Sequence, residues 1–280
     1  MAKQPLHELI GDAKVYDLGQ PYWPGMPVHP LDPPFQFYLY RYHEYTEKDL
    51  GKIEPGFGDA ISLMITSMHS GTHFDIPIHM SQDYKVQGID VREYQRDTGF
   101  VDLPEPLHSM ESVPPLLLRA VLFDIPRLKG VPYLEPGTEI YIEDLEEWER
   151  LAGVRVSSGD AVFVRTGVWA RRAVEGPWLR GRRPGGRSAG LHPSVIPWLK
   201  ERDVALMGSD HPQYVAPSEL PGAVHDFALL YLGVHLFDNC DLEALAQASA
   251  ERNRWEFLLM AAPLPIRGGT GSPLNPIAVF

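Results

Sequence analysis

The segment HSGTHFDIPIH, His69 to His79, sets three imidazoles and a carboxylate at spacings of four, two and four residues. Neutral imidazole and carboxylate are ordinary ligands of Zn²⁺, and a His, His, Asp set leaves a coordination position for a reactive water. The chemistry such a set points to is hydrolytic. Any one histidine is more often a turn or core residue satisfied by backbone, and imidazole and carboxylate also pair with each other. What favours a metal is the concentration of four such groups in eleven residues, with Gly71 and Pro77 placed where the chain can bend.

The same residues dictate the local backbone. Gly71, Pro77 and the β-branched Thr72, Ile76 and Ile78 argue against a helix. In an extended chain His69, Gly71, His73, Asp75, Pro77 and His79 share one parity and so one face. A straight strand of that length would reach roughly 33 Å, too far for one small site. The chain is therefore expected to bend at Ser70-Gly71 and Ile76-Pro77, gathering the odd residues while Phe74, Ile76 and Ile78 face a core. The preceding run AISLMIT, Ala60 to Thr66, reads as a buried strand that delivers the motif.

HSGTHFDIPIH carries every fixed position of HxGTHxDxPxH and so resembles the signature of the metal-dependent cyclase family, which includes bacterial kynurenine formamidases and isatin hydrolases. Further stretches are similar to the family's blocks: YDLGQPYWPGMPVHP (16–30), VALMGSDHP (204–212), VHDFALLYLGVHLFDNCDL (224–242) and PLPIRGGTGSPLNP (263–276). The resemblance implies metal ligands at His69, His73 and Asp75 and a catalytic histidine at His79. In formamidase-like members Asp75 would also hold a second metal with His225 and an acid at Asp238. That acid is usually glutamate, one methylene longer, and the stretch between His225 and Asp238 is about one residue longer than usual, which leaves one metal or two open. The family's Asp-x-Pro-Ser reads Asp210-His211-Pro212-Gln213 here, so substrate contacts are expected to differ.

On the implied set, a metal lowers the pKa of bound water from near 16 to about 7, and His79 takes the proton and returns it to the leaving atom. Zn²⁺ suits two imidazoles and a carboxylate, and Mn²⁺ suits them if further oxygen ligands raise the coordination number. The resemblance leaves both open, since formamidase-like members are associated with zinc and isatin-hydrolase-like members with manganese.

The rest of the chain narrows the class. With 280 residues and 44% hydrophobic content it can bury a substantial core, and with no linker-like composition shift it reads as one domain, 1–280. A formal charge of −12 disfavours nucleic acid and anionic membrane as partners. The start lacks a signal peptide's apolar core and no segment could span a bilayer, so a cytoplasmic location is expected. The single Cys240 is expected to be a packed, unreactive thiol.

Strands are predicted at Leu117 to Asp124, Asp160 to Thr166, Val204 to Gly208, Val234 to Phe237 and Phe257 to Ala261. Helices are predicted at Ile142 to Ala152, with Leu145, Trp148 and Leu151 on one stripe, at Pro193 to Arg202 and at Leu242 to Asn253. With 27 Pro and 25 Gly filling the turns, this is a β-rich α/β pattern. It fits the fold the resemblance implies: a compact mixed fold with a β-barrel-like core of the swivelling β/β/α type.

Two clusters have competing readings. Arg171, Arg172, Arg180, Arg182, Arg183 and Arg187 lie in a Gly/Pro-rich stretch that reads first as a solvated loop pairing with carboxylates, although one arginine could meet an anionic substrate tail. Tyr22-Trp23 with Phe35, Phe37, Tyr38 and Tyr40 could wall an aromatic pocket or serve packing and dimer contact. Ser70, Thr72 and Ser209 are expected to orient the motif rather than attack a substrate. Three functions follow. The first is a hydrolase of a formamide, lactam or related ester in a small aromatic or cyclic substrate. The others are a metal-assisted cyclase or dehydratase of a small or polyketide-like substrate, and a binding protein that keeps the motif. A homodimer or homotetramer is expected by resemblance.

Overall fold

The computed structural model describes residues 10–29, 31–50, 56–177, 188–212 and 223–280. Its frame is a mixed nine-stranded sheet curled into half a barrel. In chain order the strands used below are β1 (Val15–Asp17), β2 (Gln36–Arg41), β3 (Ile61–Ile65), β4 (His73–Asp75), β5 (Leu116–Asp124), β6 (Ala161–Arg165), β7 (Leu206–Ser209), β8 (His235–Asp238), β9 (Glu256–Ala261), β10 (Gly271–Pro273) and β11 (Ile277–Val279). The sheet order is β1-β11-β9-β5-β6-β7-β8-β4-β10.

Strands β5 to β8 are parallel neighbours, and the pairs around them are antiparallel. Parallel strands covered on both faces read as unbroken apolar runs, and AVFVR of β6 is buried at every residue. Helices cover the crossovers: α1 (Ile142–Ala152) between β5 and β6, α2 (Val168–Glu175) and α3 (Ile196–Glu201) between β6 and β7, and α4 (Val224–Phe227) before β8. A further helix, α5 (Glu243–Arg252), joins β8 to β9. The expected central strands, and the helices predicted at Ile142 to Ala152 and Leu242 to Asn253, form within two residues of their predicted bounds, and the helix predicted from Pro193 opens with a 3₁₀ turn, Pro193–Val195, before α3.

The stripe on α1 is shorter than expected. Leu145 and Trp148 are buried, whereas Leu151 is 56% exposed. Each three-residue step falls about 60° short of a full turn, so Leu151 lies about 120° round from Leu145.

The strand before the motif departs more. β3 forms at Ile61–Ile65, but all five residues are exposed and it pairs only with β2, as a two-stranded ribbon outside the main sheet. Periodicity shows that the run is extended; it does not show which sheet receives it. Phe37, Tyr38 and Tyr40 of β2 are exposed with it, while Phe35 is buried against Tyr22. Among the described residues, no helix is long and apolar enough to cross a membrane.

Candidate metal centre

The motif folds by bending where its sequence allows. Residues 67–72 form a turn in which Gly71 takes φ +69°, a left-handed conformation that favours glycine. The chain then runs as β4 through His73, Phe74 and Asp75, and Pro77 opens a 3₁₀ turn, Pro77–His79. Phe74, Ile76 and Ile78 are buried in the core, as their parity requires. The turn is stitched to two distant segments. The Tyr22 hydroxyl donates to the carbonyls of Ser70 (2.7 Å) and Thr72 (3.2 Å). Thr72 Oγ1 accepts from the Gln20 amide and donates to the Asn239 carbonyl. Burial of the Tyr22 phenol pushes its pKa up to about 12 and keeps it a donor.

Strand register brings in the remaining groups. His73 lies opposite Asp238 in the antiparallel β4/β8 pair, so both side chains leave the same face of the sheet. On the other edge of β4, Gly271 of β10 lies opposite Asp75. A Cβ at Gly271 would come 2.5 Å from the Phe74 carbonyl oxygen and 2.6 Å from His69 Cε1, so the backbone of β4 and the His69 ring together leave room only for glycine. The site sits at the carboxyl end of β8, among the ends of the parallel strands, where open α/β sheets place their ligand crevices.

Asp75 is the centre of the cluster. His69 Nδ1 lies 2.6 Å from its Oδ1, while His225 Nε2 (3.1 Å), His73 Nε2 (3.4 Å) and His79 Nε2 (4.0 Å) surround its Oδ2. Asp238 Oδ2 lies 3.7 Å from His225 Nε2, and Asp238 Oδ1 is buried with no hydrogen-bond partner. The structure thus brings together all six sequence-expected residues, His69, His73, Asp75, His79, His225 and Asp238. Two sets hold ligand atoms all within 4.8 Å of one another: His69, His73, Asp75 and Asp75, His79, His225.

These residues fit a divalent metal. His73 Nδ1–H donates to the Gly71 carbonyl (2.9 Å), and His225 Nδ1 is 3.1 Å from Asp226 Oδ1. Each outer contact turns the ring so that Nε2 faces Asp75; in the metal-free site that nitrogen donates to the carboxylate, and on losing its proton it would offer its lone pair to an ion. A buried carboxylate oxygen without a donor, on Asp238, is the atom a cation would satisfy.

Electrostatics of the metal-free site point the same way. Burial alone would raise the Asp75 pKa, but the charge of the His73 imidazolium and hydrogen bonds from His225 and His69 outweigh it and hold the carboxyl well below its ordinary value. Burial lowers His73 and His225, yet the carboxylates around them win, and the two are pushed up to about 9 and about 10. Burial raises Asp238 to about 6, with the Asp75 charge adding to it. His79 is lowered to about 3, chiefly by burial and then by the neighbouring imidazoles, so it is neutral. Its ring stacks on His69 at 3.7 Å between centroids, which fixes its plane.

The cavity over this cluster has a volume of about 410 Å³, enough for a small molecule, and its lining also includes Gln20, Met80, Arg172 and Pro212. Asp210 is not in it. Its buried carboxylate accepts from the amides of Thr166, Gly167 and Val168 and from the Thr166 hydroxyl, anchoring the start of α2. Cys240 is buried, and burial raises its thiol pKa well above the ordinary value, so it is no nucleophile. Of the arginine cluster, Arg171 pairs with Glu175 and Arg172 reaches the cavity; Arg180, Arg182, Arg183 and Arg187 lie outside the described residues, as does Gln213. Sequence reading missed Thr270, whose Oγ1 is 2.9 Å from His69 Nε2, and Asp226. Asp226 had a local signal, a carboxylate beside an expected ligand; Thr270 had none.

Comparison with known proteins agrees with this geometry. Residues 16–214 match the family described as "Putative cyclase". An isatin hydrolase from Roseibium aggregatum is 28% identical over 97% of this chain and 93% of its own. A kynurenine formamidase from Bacillus thuringiensis is 22% identical over 93% of this chain and 95% of its own. The crystal structure of a novel cyclase superposes with a TM-score of 0.77 at 27% identity, covering 95% of this chain and 88% of the other.

Proposed function

This chain belongs to the cyclase family, and on that premise we propose that it is a metal-dependent hydrolase cleaving the C–N bond of a formamide or lactam, or a related ester, in a small aromatic or cyclic substrate. The observation that carries the reading is the convergence of four imidazoles and two buried carboxylates on one cavity, with Asp238 Oδ1 unsatisfied. The relatives named for isatin and for kynurenine-derived formamides support the substrate class.

His69, His73 and Asp75 would hold one divalent ion, and Asp75 with His225 and Asp238 a second. Such an ion supplies a Lewis acid that polarises the substrate carbonyl and acidifies water. His79 is left to move protons. Its Nε2 would accept the proton of the attacking water and return it to the leaving nitrogen or oxygen; burial opposes the imidazolium this forms and the Asp75 carboxylate favours it. Stacking on His69 holds that nitrogen toward the reacting atoms, and the Gly71 turn clamped by Tyr22 keeps His69 and His73 in register. Asp226 and the Gly71 carbonyl hold the tautomers of His225 and His73.

Two imidazoles and a carboxylate favour Zn²⁺, and the added oxygen of Asp238 favours Mn²⁺; elemental analysis of the purified protein decides between them. The same reading makes the protein a cytoplasmic homodimer or homotetramer. The exposed apolar β2/β3 ribbon supports association, because an isolated two-stranded ribbon is marginal in water. The deciding experiment is turnover of N-formylkynurenine and isatin side by side, by protein stripped of metal and reloaded with Zn²⁺ or Mn²⁺. Hydrolysis unaffected by stripping overturns the reading. A cyclase or dehydratase reading rests on the family's name, and a product lighter by one water would support it in place of one heavier by one.

A further inference from the structure

The His69 ring is held at both of its nitrogens, and only one of the two contacts belongs to the metal cluster. Nδ1 lies 2.6 Å from Asp75 Oδ1, and Nε2 lies 2.9 Å from Thr270 Oγ1. His73 and His225 are turned the opposite way, with Nδ1 outward, to the Gly71 carbonyl and to Asp226, and Nε2 toward Asp75. Thr270 is placed by its own loop rather than by the cluster. Its carbonyl accepts from the Ile76 amide at 3.3 Å, which ties it to the chain just past Asp75. Before it, the Gly269 carbonyl accepts from the Met110 amide and the Gly268 carbonyl from the Phe100 amide, each at 3.0 Å. The Gly268 amide donates to Glu111 Oε2 at 3.1 Å. The approach is close: Gly268 takes φ +70°, and a Cβ on it would meet the Phe100 carbonyl oxygen at 2.8 Å. Two segments remote from the motif, around residues 100 and 110, thus fix where the Thr270 hydroxyl stands, and its β-branch limits how the side chain can turn.

A neutral imidazole has one N–H and one lone pair, and its partners decide which nitrogen carries which. Without metal, a carboxylate at Asp75 can only accept, so the proton of a neutral His69 sits on Nδ1 and the Thr270 hydroxyl donates to Nε2. An ion held by Asp75 and His69 needs the Nδ1 lone pair, which moves the proton to Nε2 and requires the same hydroxyl to accept. A hydroxyl can do both, because it has one donor and two acceptor lone pairs; an ammonium or an ionised carboxylate can do only one. We propose that Thr270 is a positioning residue that commits His69 to hold metal through Nδ1, its hydroxyl turning from donor to acceptor as the ion enters. The inference rests on the metal-dependent reading of the site and gives it a mixed ligand set, Nδ1 from His69 and Nε2 from His73 and His225.

The test reads the tautomer directly, by ¹⁵N NMR of histidine-labelled protein, stripped and then loaded with Zn²⁺ as a diamagnetic probe, with the His69 signals assigned by their loss in His69→Gln. In loaded wild type the His69 ring should show a metal-bound Nδ1 and a protonated Nε2, the reverse of His73. Thr270→Val removes the hydroxyl and keeps the branch. Its affinity for Zn²⁺, measured by competition with a chelator, should fall about 10- to 100-fold, the usual effect of losing a group that orients a ligand. Thr270→Ser, which keeps the hydroxyl, should recover most of the affinity together with the wild-type tautomer. A zinc-bound Nε2 on His69 in wild type, or undiminished affinity in Thr270→Val, overturns the proposal and leaves metal binding and the hydrolase reading standing. A loss that Thr270→Ser does not recover also overturns it, because a packing defect alone gives that result. Wild type that takes up no metal, with the signals of His69, His73 and His225 unmoved, overturns the hydrolase reading itself. If Thr270→Val does not fold, Thr270→Ala takes its place, and the wild-type spectrum still decides which nitrogen binds.

Discussion

At the scale of single residues the site divides into groups that must give up protons and one that must exchange them. Asp75 touches four imidazoles, so Asp75→Ala removes the shared ligand of both candidate metal positions. The purified variant should contain little metal by elemental analysis, and full occupancy would show that the ligands lie elsewhere. His79 stands farthest from Asp75, at 4.0 Å, and its imidazole is neutral. His79→Ala should keep metal and lose about 10² to 10⁴-fold in turnover, the usual contribution of positioned proton transfer. A variant that lost metal as readily as Asp75→Ala would make His79 a ligand. The motif residues were legible because all sit within eleven positions. His225 and Asp238 were legible only through resemblance, since 150 positions separate His225 from the carboxylate it meets. Thr270, 201 positions from His69, was not legible at all.

At the scale of elements, function depends on how closely strands approach the motif. β10 carries Gly271 opposite Asp75, and the His69 ring fills the space where a Cβ would stand. The Phe74 carbonyl of β4 stands as close, so Gly271→Ala should fold with a cost of about 1–3 kcal/mol, the range for overpacking, and should bind metal at least about tenfold more weakly because both His69 and the β4 backbone that carries His73 and Asp75 are displaced. Thermal melting and metal titration on one sample separate the two effects; unchanged affinity would mean that the metal does not depend on the position of His69 and β4. Strands β6 and β7 and the second half of β5 could be read from their apolar runs, because burial on both faces leaves that trace in composition, whereas β9 was legible although it alternates buried and exposed residues. The helix Val168–Glu175 could not. Its arginines merge with the charged stretch that follows, and its start is set by Asp210 from the end of β7, 42 residues past Val168. β3 was legible as a strand but not as an exposed one, since an apolar run is the same whether its cover comes from its own core or from outside it.

At the scale of the whole molecule, the buried cluster links metal, protons and stability. In the metal-free protein His73 and His225 are raised above 6.5, to about 9 and about 10. The stabilisation they give is complete below pH 6.5 and lost as pH rises through their folded values. Asp75, lowered, stabilises above its ordinary value and loses that contribution only in acid, whereas Asp238, raised to about 6, opposes folding more as pH rises from 3.8 to 6. Raising the pH from 6.5 toward 10 therefore weakens the metal-free protein. A bound divalent ion replaces the imidazole protons, so the loaded protein escapes that loss and its affinity for metal rises over the same interval. The gap in melting temperature between loaded and stripped protein should widen steadily from pH 6.5 to about 9. At free metal a hundredfold above Kd it should correspond to about 2.7 kcal/mol, or roughly 5–11 °C for a domain of this size. Metal uptake near pH 7 should release protons, visible as a dependence of the calorimetric heat on the buffer's ionisation enthalpy. A gap that stays constant or narrows with pH, with no proton release, would mean that His73 and His225 do not exchange protons for metal, and would move the metal away from the centre of the fold.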